Sequence, residues 1–338
     1  MRISFNSAVP VDYTEVGYGQ AANNIYRSML TLGYNVNLDN PHAEIQLNFM
    51  QPHIFRAPKH PTYNILYFPW ESTELRTGWV DICNRPNIDE LWTVSNWTAK
   101  CLRALPIKKP IKVYPHGINA MWKPRLRKRK GPLRYLIVDA EANRKGWQES
   151  FEAFREVFGD DPRKATLTIK TRQRCMARWK DSFGRYRNPG ELPNVTVDVK
   201  KYSDEEMVRL FHDHDVLLYA SYGEGWGLIP FQMLATGGIA ITTAEWCHYK
   251  DYLGNYALRS NYSCSPWRGE HPGDICRPNQ KHLRELIQYS YDHFDEDAKE
   301  HFRRSFELHE EYDWIELTRS ALAGIIPAAE QKLQLENG

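Results

Sequence analysis

The sequence predicts an α/β protein of two Rossmann-like domains facing each other across a cleft. Three observations predict it. Short apolar runs alternate with longer segments of helical periodicity, the pattern of βα units and parallel sheets. The alternation stops and restarts at residues 121–132, where Pro124 and Pro132 mark a run of like charge (Lys123, Arg125, Arg127, Lys128, Arg129, Lys130), as in a linker. In the second block an apolar run, a glycine-rich loop and a helical pattern follow one another over residues 216–236. Such a junction places ligands at the C-terminal edge of a parallel sheet.

In the first block, residues 2–5 read as a strand. A turn-rich stretch through Pro10, Gly17 and Gly19 follows. Residues 21–32 carry Ala22, Ile25, Met29 and Leu32 at spacings of three and four and read as a helix, with Gly33 as its C-cap. Further strands are expected at 44–49, 64–68, 90–94 and 111–114, and Ser95 is a good N-cap for the helix after the third of these. In the second block, 134–138 reads as a strand. The next helix puts Trp147, Phe151, Phe154 and Phe158 on one face. Strands at 165–170 and 195–197 precede a capping box, Ser203-Asp204-Glu205-Glu206, and a helix carrying Met207, Leu210 and Phe211. Buried strands are expected at 216–220 and 239–242, and helices over 281–293 and much of 297–333. The expected division is 1–124, 125–310 and a helical stretch, 311–338.

A chain of 338 residues, 42% of them hydrophobic, is long enough for two cores. Lys plus Arg number 44 against 42 Asp plus Glu, a net charge of +2, which excludes a general polyanion binder. Any nucleic-acid or other anionic contact would be made by a local patch. The run from Lys123 to Lys130 is the candidate, extended by Lys100, Arg103, Lys108, Lys109 and Lys112. The six cysteines (Cys83, Cys101, Cys175, Cys247, Cys264, Cys276) show no C-x-x-C spacing, which suits a reduced, cytoplasmic protein. The first residues lack the apolar stretch of a signal peptide, and no run approaches the ~18 apolar residues of a transmembrane helix.

The segment that carries chemistry is Ser221-Tyr222-Gly223-Glu224-Gly225-Trp226-Gly227-Leu228-Ile229-Pro230-Phe231-Gln232. Pro230 falls in the first turn of the expected helix, where proline is favoured. Glycines let backbone N–H groups approach a ligand, and a helix N-terminus favours a negative group such as a diphosphate. Glu224 can accept hydrogen bonds from sugar hydroxyls.

This segment resembles the donor-binding signature of family 4 glycosyltransferases, Glu-Gly-Phe-Gly-Leu with a following Pro and a second Glu eight positions after the first. Trp226 stands for the Phe and Gln232 for the second Glu. The resemblance implies that Glu224 contacts the transferred sugar. It also implies that Gly225, Trp226, Gly227, Leu228 and Gln232 line the donor site, Gln232 meeting the ribose through its amide. Gly17-Tyr18-Gly19-Gln20 is similar to the family's N-terminal glycine loop, which abuts donor phosphate (Gly17, Tyr18, Gly19) and acceptor (Gln20). Val113-Tyr114-Pro115-His116-Gly117-Ile118-Asn119 and Arg144-Lys145-Gly146 match two further elements, and Trp314 is similar to an aromatic before the last helices. Lys145 is thereby a diphosphate contact. An Arg six residues earlier in the family is Asp139 here, so Arg144 or Lys170 would supply the missing charge. The family implies the GT-B fold, a nucleotide-diphosphate sugar as donor and retention of anomeric configuration, with residues 1–124 as the acceptor-binding domain, 125–310 as the donor-binding domain and the helices of 311–338 crossing back to the first. It implies hexosyl or pentosyl transfer with no metal or other cofactor, because cations and a helix N-terminus stabilise the leaving diphosphate.

Each candidate also has a plainer reading. Glu71 follows an expected strand at the cleft edge, as an acceptor contact and proton acceptor or as a helix-start carboxylate. His116 contacts donor or acceptor, or is a turn residue. In the plain reading Lys145 is a surface lysine and Glu224 a tight-turn carboxylate. His212-Asp213-His214-Asp215 looks like a metal cluster, but neighbouring residues on such a turn point in different directions. The acceptor is a hydroxyl on a glycan, lipid, protein or modified DNA base. The basic run motivates the nucleic-acid alternative, and Gln232 with Asp139 motivates a non-catalytic sugar-nucleotide-binding module.

Overall fold

A computed structural model describes residues 1–140, 142–172, 178–181 and 183–337; Cys175 lies outside them. The first half forms a sheet of six parallel strands, β1 (Ile3–Ser7), β2 (Val36–Leu38), β3 (Ile45–Phe49), β4 (Tyr63–Tyr67), β5 (Glu90–Thr93) and β6 (Ile111–Val113). Their order is β2-β1-β3-β4-β5-β6. Helices α1 (Gly17–Thr31), α2 (Trp79–Cys83) and α3 (Asn96–Arg103) connect them. The second half repeats the plan with β7 (Leu133–Val138), β8 (Ala165–Lys170), a small hairpin of β9 (Trp179–Lys180) and β10 (Tyr186–Arg187), then β11 (Val195–Asp198), β12 (Val216–Tyr219), β13 (Ile239–Thr243) and β14 (Ala257–Leu258). Its sheet order is β11-β8-β7-β12-β13-β14, again all parallel. Helices α4 (Trp147–Phe158), α5 (Asp204–His212) and α6 (Leu228–Ala235) lie between its strands in sequence. An antiparallel hairpin, β15 (Ser260–Cys264) and β16 (Asp274–Pro278), precedes α7 (Gln280–Glu311), α8 (Trp314–Ala323) and α9 (Ile325–Asn337).

Parallel strands covered on both faces should be apolar throughout. Every residue of β12 and β13 is buried, as expected. β3 is buried throughout as well, although it carries Gln46 and Asn48. A polar ladder makes this tolerable: Asn6 donates to Gln46 Oε1 at 2.9 Å and to Asn48 Oδ1 at 2.8 Å, and Asn48 donates to Ile65 O at 3.1 Å. The expected caps form. Ser95 accepts from Thr98 N, and Ser203 and Glu206 close a reciprocal box. Trp147, Phe151, Phe154 and Phe158 turn one face of α4 into the second core.

Three expectations need correction. α1 begins at Gly17, so Gly17-Tyr18-Gly19-Gln20 is its first turn and not a loop ahead of it. A side chain at Gly19 would meet Tyr13 O at 1.8 Å, so this glycine admits the incoming chain. α7 runs unbroken through residues 294–296, because Phe294 and Ala298 continue its buried stripe. It stops at Tyr312–Asp313, where Asp313 caps α8 by accepting from Ile315 N and Glu316 N. The run from Lys123 to Lys130 is not a freely solvated linker. Arg127 is buried and donates to Phe211 O, His214 O, Thr236 O and Thr236 Oγ1 at 2.7–2.9 Å. Arg129 lies over the Tyr291 ring at 4.2 Å. These two arginines are bound to the second half and are not available to grip an acceptor.

α8 packs on α1, and Lys332 of α9 reaches Asp89 at 2.9 Å, so the last helices return to the first half. Among the described residues, no helix is long and apolar enough to cross a membrane.

Candidate active site

The loop after β12 folds so that Glu224 is buried at the C-terminal edge of the second sheet. Groups from two strand ends position its carboxylate. Tyr219, the last residue of β12, donates to Oε1 at 3.0 Å, and Ser221 Oγ donates to the same oxygen at 2.7 Å. Lys145 Nζ, from the turn after β7, meets both oxygens at 2.9 and 3.0 Å. Arg144 lies 3.3 Å from Oε1 through Nη1, donates to Gly223 O, and reaches Glu71 Oε1 at 3.8 Å through Nη2. Glu71 belongs to the segment after β4, in the other half of the chain. The structure therefore brings Glu224, Lys145, Arg144 and Glu71 into one chain of alternating charge across the cleft.

Their environments separate the two acids. Burial alone would raise the Glu224 carboxyl, but Lys145 and Arg144 outweigh it and hold it at about 2. Glu71 is raised, because burial dominates and the pull of Arg144 is opposed by Glu224. The result is one firmly ionised carboxylate beside one that takes up a proton more readily than a surface acid.

Glycine at 223 and 225 serves the closure of this cleft. A side chain at Gly223 would meet Glu71 O at 2.1 Å, and one at Gly225 would meet Pro69 Cβ at 2.3 Å. These glycines let the loop touch the opposite half. Gly227 adopts φ +82° and caps α6, with Trp246 filling the space a side chain would need. Leu228, at the N-terminus of α6, lies against Gly17, whose added side chain would sit 3.2 Å from Leu228 Cδ1. The N-termini of α1 and α6 thus approach each other, and both favour negative charge. Gln20 on α1 and Gln232 on α6 join across them through a hydrogen bond of 3.3 Å.

His116 is buried between Trp226 and Trp314, with ring centroids 5.8 and 5.6 Å away. Burial lowers its pKa to about 3, so it is a neutral hydrogen-bonding group. Tyr18 stacks on Phe49 at 4.3 Å, and Phe49 meets the His116 ring at 6.1 Å. Both ring nitrogens of His116, Tyr18 Oη and Trp226 Nε1 are buried without a hydrogen-bond partner. Each such atom costs about 1–3 kcal/mol when left unpaired, so several in one region point to a site built for a polar ligand. The Trp226 ring itself packs into the core against Phe231, Tyr249 and Tyr312.

One expected residue is engaged elsewhere. Lys170 donates to Lys200 O and lies over Tyr202 at 4.8 Å. Arg144, not Lys170, supplies charge beside Lys145. Asp139 follows β7 with φ +60°, a left-handed conformation uncommon outside glycine. The residues of the His212–Asp215 stretch go to separate structural tasks. His212 meets Lys123 O, His214 meets Leu210 O and Thr168 Oγ1, and Asp215 pairs with Arg134 at 2.7 Å.

One residue at the site escaped the sequence reading. His271, on the loop between β15 and β16, lies 3.6 Å from Glu71 Oε2 and packs against Trp70. Burial, and then Arg144, lower its pKa to about 4. It is 200 residues from Glu71 in sequence, and no local motif marks it.

Among solved structures, the chain superposes over 98% of its length on 98% of a glycosyltransferase from Rickettsia africae ESF-5, with TM-score 0.69 and 13% identity. It also superposes, over 97% of its length, on 100% of a sucrose-phosphate synthase from Thermosynechococcus elongatus, with TM-score 0.66 and 12% identity. The fold is GT-B. A third GT-B match is WaaG, a glycosyltransferase involved in lipopolysaccharide biosynthesis, with 95% and 98% of the two chains covered, TM-score 0.63 and 12% identity. No protein-family model matches the chain, and no curated protein matches it in sequence. In the GT-B frame the Glu224 cluster lies between the two Rossmann-like halves, at the sheet edge where parallel sheets take their ligands.

Proposed function

We propose that this GT-B chain is a retaining, metal-independent glycosyltransferase that moves a sugar from a nucleotide-diphosphate donor to a hydroxyl acceptor. The observation that carries the reading is the Glu71–Arg144–Glu224–Lys145 chain of charges, whose Glu224 lies on the loop leading into α6, beside the converging N-termini of α1 and α6. Residues 1–124 would hold the acceptor, 125–310 the donor, and 311–338 return to the first domain. Glu224 takes hydroxyls of the transferred sugar. Lys145, Arg144 and the amides at Gly225, Trp226, Gly227 and Leu228 take the diphosphate, beside Gly17, Tyr18 and Gly19. Gln232 takes the ribose through its amide, a neutral substitute for a carboxylate.

In the transfer, the bond between the anomeric carbon and the diphosphate oxygen breaks and the acceptor oxygen bonds to the same face. The acceptor proton passes to the leaving phosphate oxygen. The two cations stabilise the charge that develops there, a task fixed cations perform well in a site shielded from water. Gln20, Glu71 and His116 lie on the acceptor side as hydrogen-bonding groups, and His271 reaches Glu71 from the donor half. The free thiols of Cys83, Cys101, Cys247, Cys264 and Cys276 support a cytoplasmic setting. A nucleic-acid acceptor loses support, since Arg127 and Arg129 are bound within the fold.

The test is a thermal-shift screen with nucleotides and nucleotide sugars, followed by donor hydrolysis assays on the donors that stabilise the chain. Hydrolysis is expected to fall at least ~100-fold in Glu224→Ala, the scale of losing one strong electrostatic contact. Donor binding without turnover in any condition would leave a non-catalytic binding module. No binding of any nucleotide sugar would overturn both.

A further inference from the structure

A recess opens beside the Glu224 loop. Asn143, Gln148, Glu149, Tyr222, Trp267 and Arg277 line it, and its volume is about 240 Å³. Sites for drug-sized ligands span roughly 300–1,000 Å³, so this one suits a single ring and not a nucleotide sugar.

The recess shares its walls with the charged cluster. Asn143 precedes Arg144, and Tyr222 precedes Gly223 and Glu224, while Tyr222 N donates to Arg144 O at 2.9 Å. Trp267 O accepts from the backbone N–H of His271 at 2.7 Å, and His271 faces Glu71. The hairpin that carries Trp267 is fixed across the cleft. Asp274 N donates to Thr73 Oγ1 at 2.7 Å, Thr73 N donates to Asp274 O at 3.0 Å, and Arg76 Nε donates to Glu270 O at 2.9 Å. Trp267 and Tyr222 meet edge to face at 5.5 Å, and Tyr222 Oη donates to Glu149. An aromatic pair ringed by amides, a carboxylate and a guanidinium matches a sugar ring, which offers an apolar C–H face and a rim of hydroxyls.

We propose that this recess, built from the donor half where its hairpin meets the first half, is a saccharide subsite that holds the ring next to the reacting one in an oligosaccharide acceptor reaching across from residues 1–124. The proposal rests on the glycosyltransferase reading for the word acceptor, but not for saccharide binding itself. It makes the substrate class a chain of sugars.

Cys264 gives a direct readout. It lines the same recess and is exposed, whereas Cys83, Cys101, Cys247 and Cys276 are buried. The full chain is treated with iodoacetamide, and alkylation of the Cys264 peptide is timed by mass spectrometry, with glucose, maltotriose, cellotriose or chitotriose present. At least one trisaccharide is expected to slow alkylation threefold or more, with a weaker effect of glucose. Trp267→Ala and, as a milder change, Gln148→Ala should each abolish that protection, with Gln148→Ala keeping the wild-type Tm. Protection absent with every saccharide, or unaltered in both variants, overturns the subsite. A wild type that hydrolyses a nucleotide sugar but shows no protection loses the subsite alone. A wild type protected through Trp267 that binds no nucleotide sugar keeps the saccharide site and loses the transferase reading.

Discussion

Glu224 holds its charge chiefly because two cations are built around it, with Ser221 donating to it as well. Removing one exposes the balance: in Lys145→Ala the burial that would raise this carboxyl meets less opposition, so its pKa climbs from about 2 toward the ordinary range. Donor turnover should fall by about two orders of magnitude at neutral pH, with a larger loss at pH 5 than at pH 8, measured as kcat/KM for donor hydrolysis. Glu71 behaves in the opposite way. Its folded pKa lies above the usual value, so as pH falls it loses charge sooner than a surface glutamate at about 4.3. Transfer is therefore expected to decline on the acid side above that ordinary range. Glu71→Gln should remove this limb from the pH profile and lower the plateau; an acid limb unchanged in Glu71→Gln would assign it to another group. At this scale the sequence is informative where chemistry is local. Glu224, Lys145 and Arg144 sit in short motifs, and the fold joins them. His271 meets Glu71 only through tertiary structure, so no spacing in the sequence could reveal it.

At the scale of elements, the glycine-rich loop depends on contact with the facing segment. The Gly225→Ala methyl would sit 2.3 Å from Pro69 Cβ, a distance that forces the loop and the segment after β4 apart. That substitution should lower Tm by several degrees and weaken turnover, while Gly269→Ala, with open space around it, should change neither. Equal effects of the two would sink the assignment of Gly225 to closure. Long amphipathic helices and fully apolar strands are readable from periodicity, because burial dictates both patterns. β2, with a single buried residue at Val36, and the half-exposed β15 carry too little periodic signal to be read. The stop between α7 and α8 is equally hidden. It is set by Asp313 capping α8 beside an isolated bridge to Ile118, a partner far away in sequence.

At the scale of the whole molecule, sequence charge density misleads about the crossing between halves. A dense basic run reads as solvent-facing, yet Arg127 within it is buried. Burial lowers its pKa to about 9, so it remains charged at neutral pH, and its guanidinium gathers carbonyls from the ends of α5 and α6. Arg127→Ala should destabilise the protein by about 3 kcal/mol or more, since it removes several buried hydrogen bonds at once. Exposed Lys128→Ala should stay within about 0.5 kcal/mol. Chemical denaturation of the two variants checks this, and similar midpoints would refute it.

That anchoring sets where the chain can be cut. The second sheet starts at Leu133, and a fragment begun there would keep every strand of that sheet but lose the guanidinium that ties Phe211, His214 and Thr236 together. A fragment begun at Lys123 would retain it, along with the Arg125 N–H that donates to Thr236 O at 3.0 Å. The packed part of the second half thus begins well upstream of its first strand, inside what composition marks as a tether.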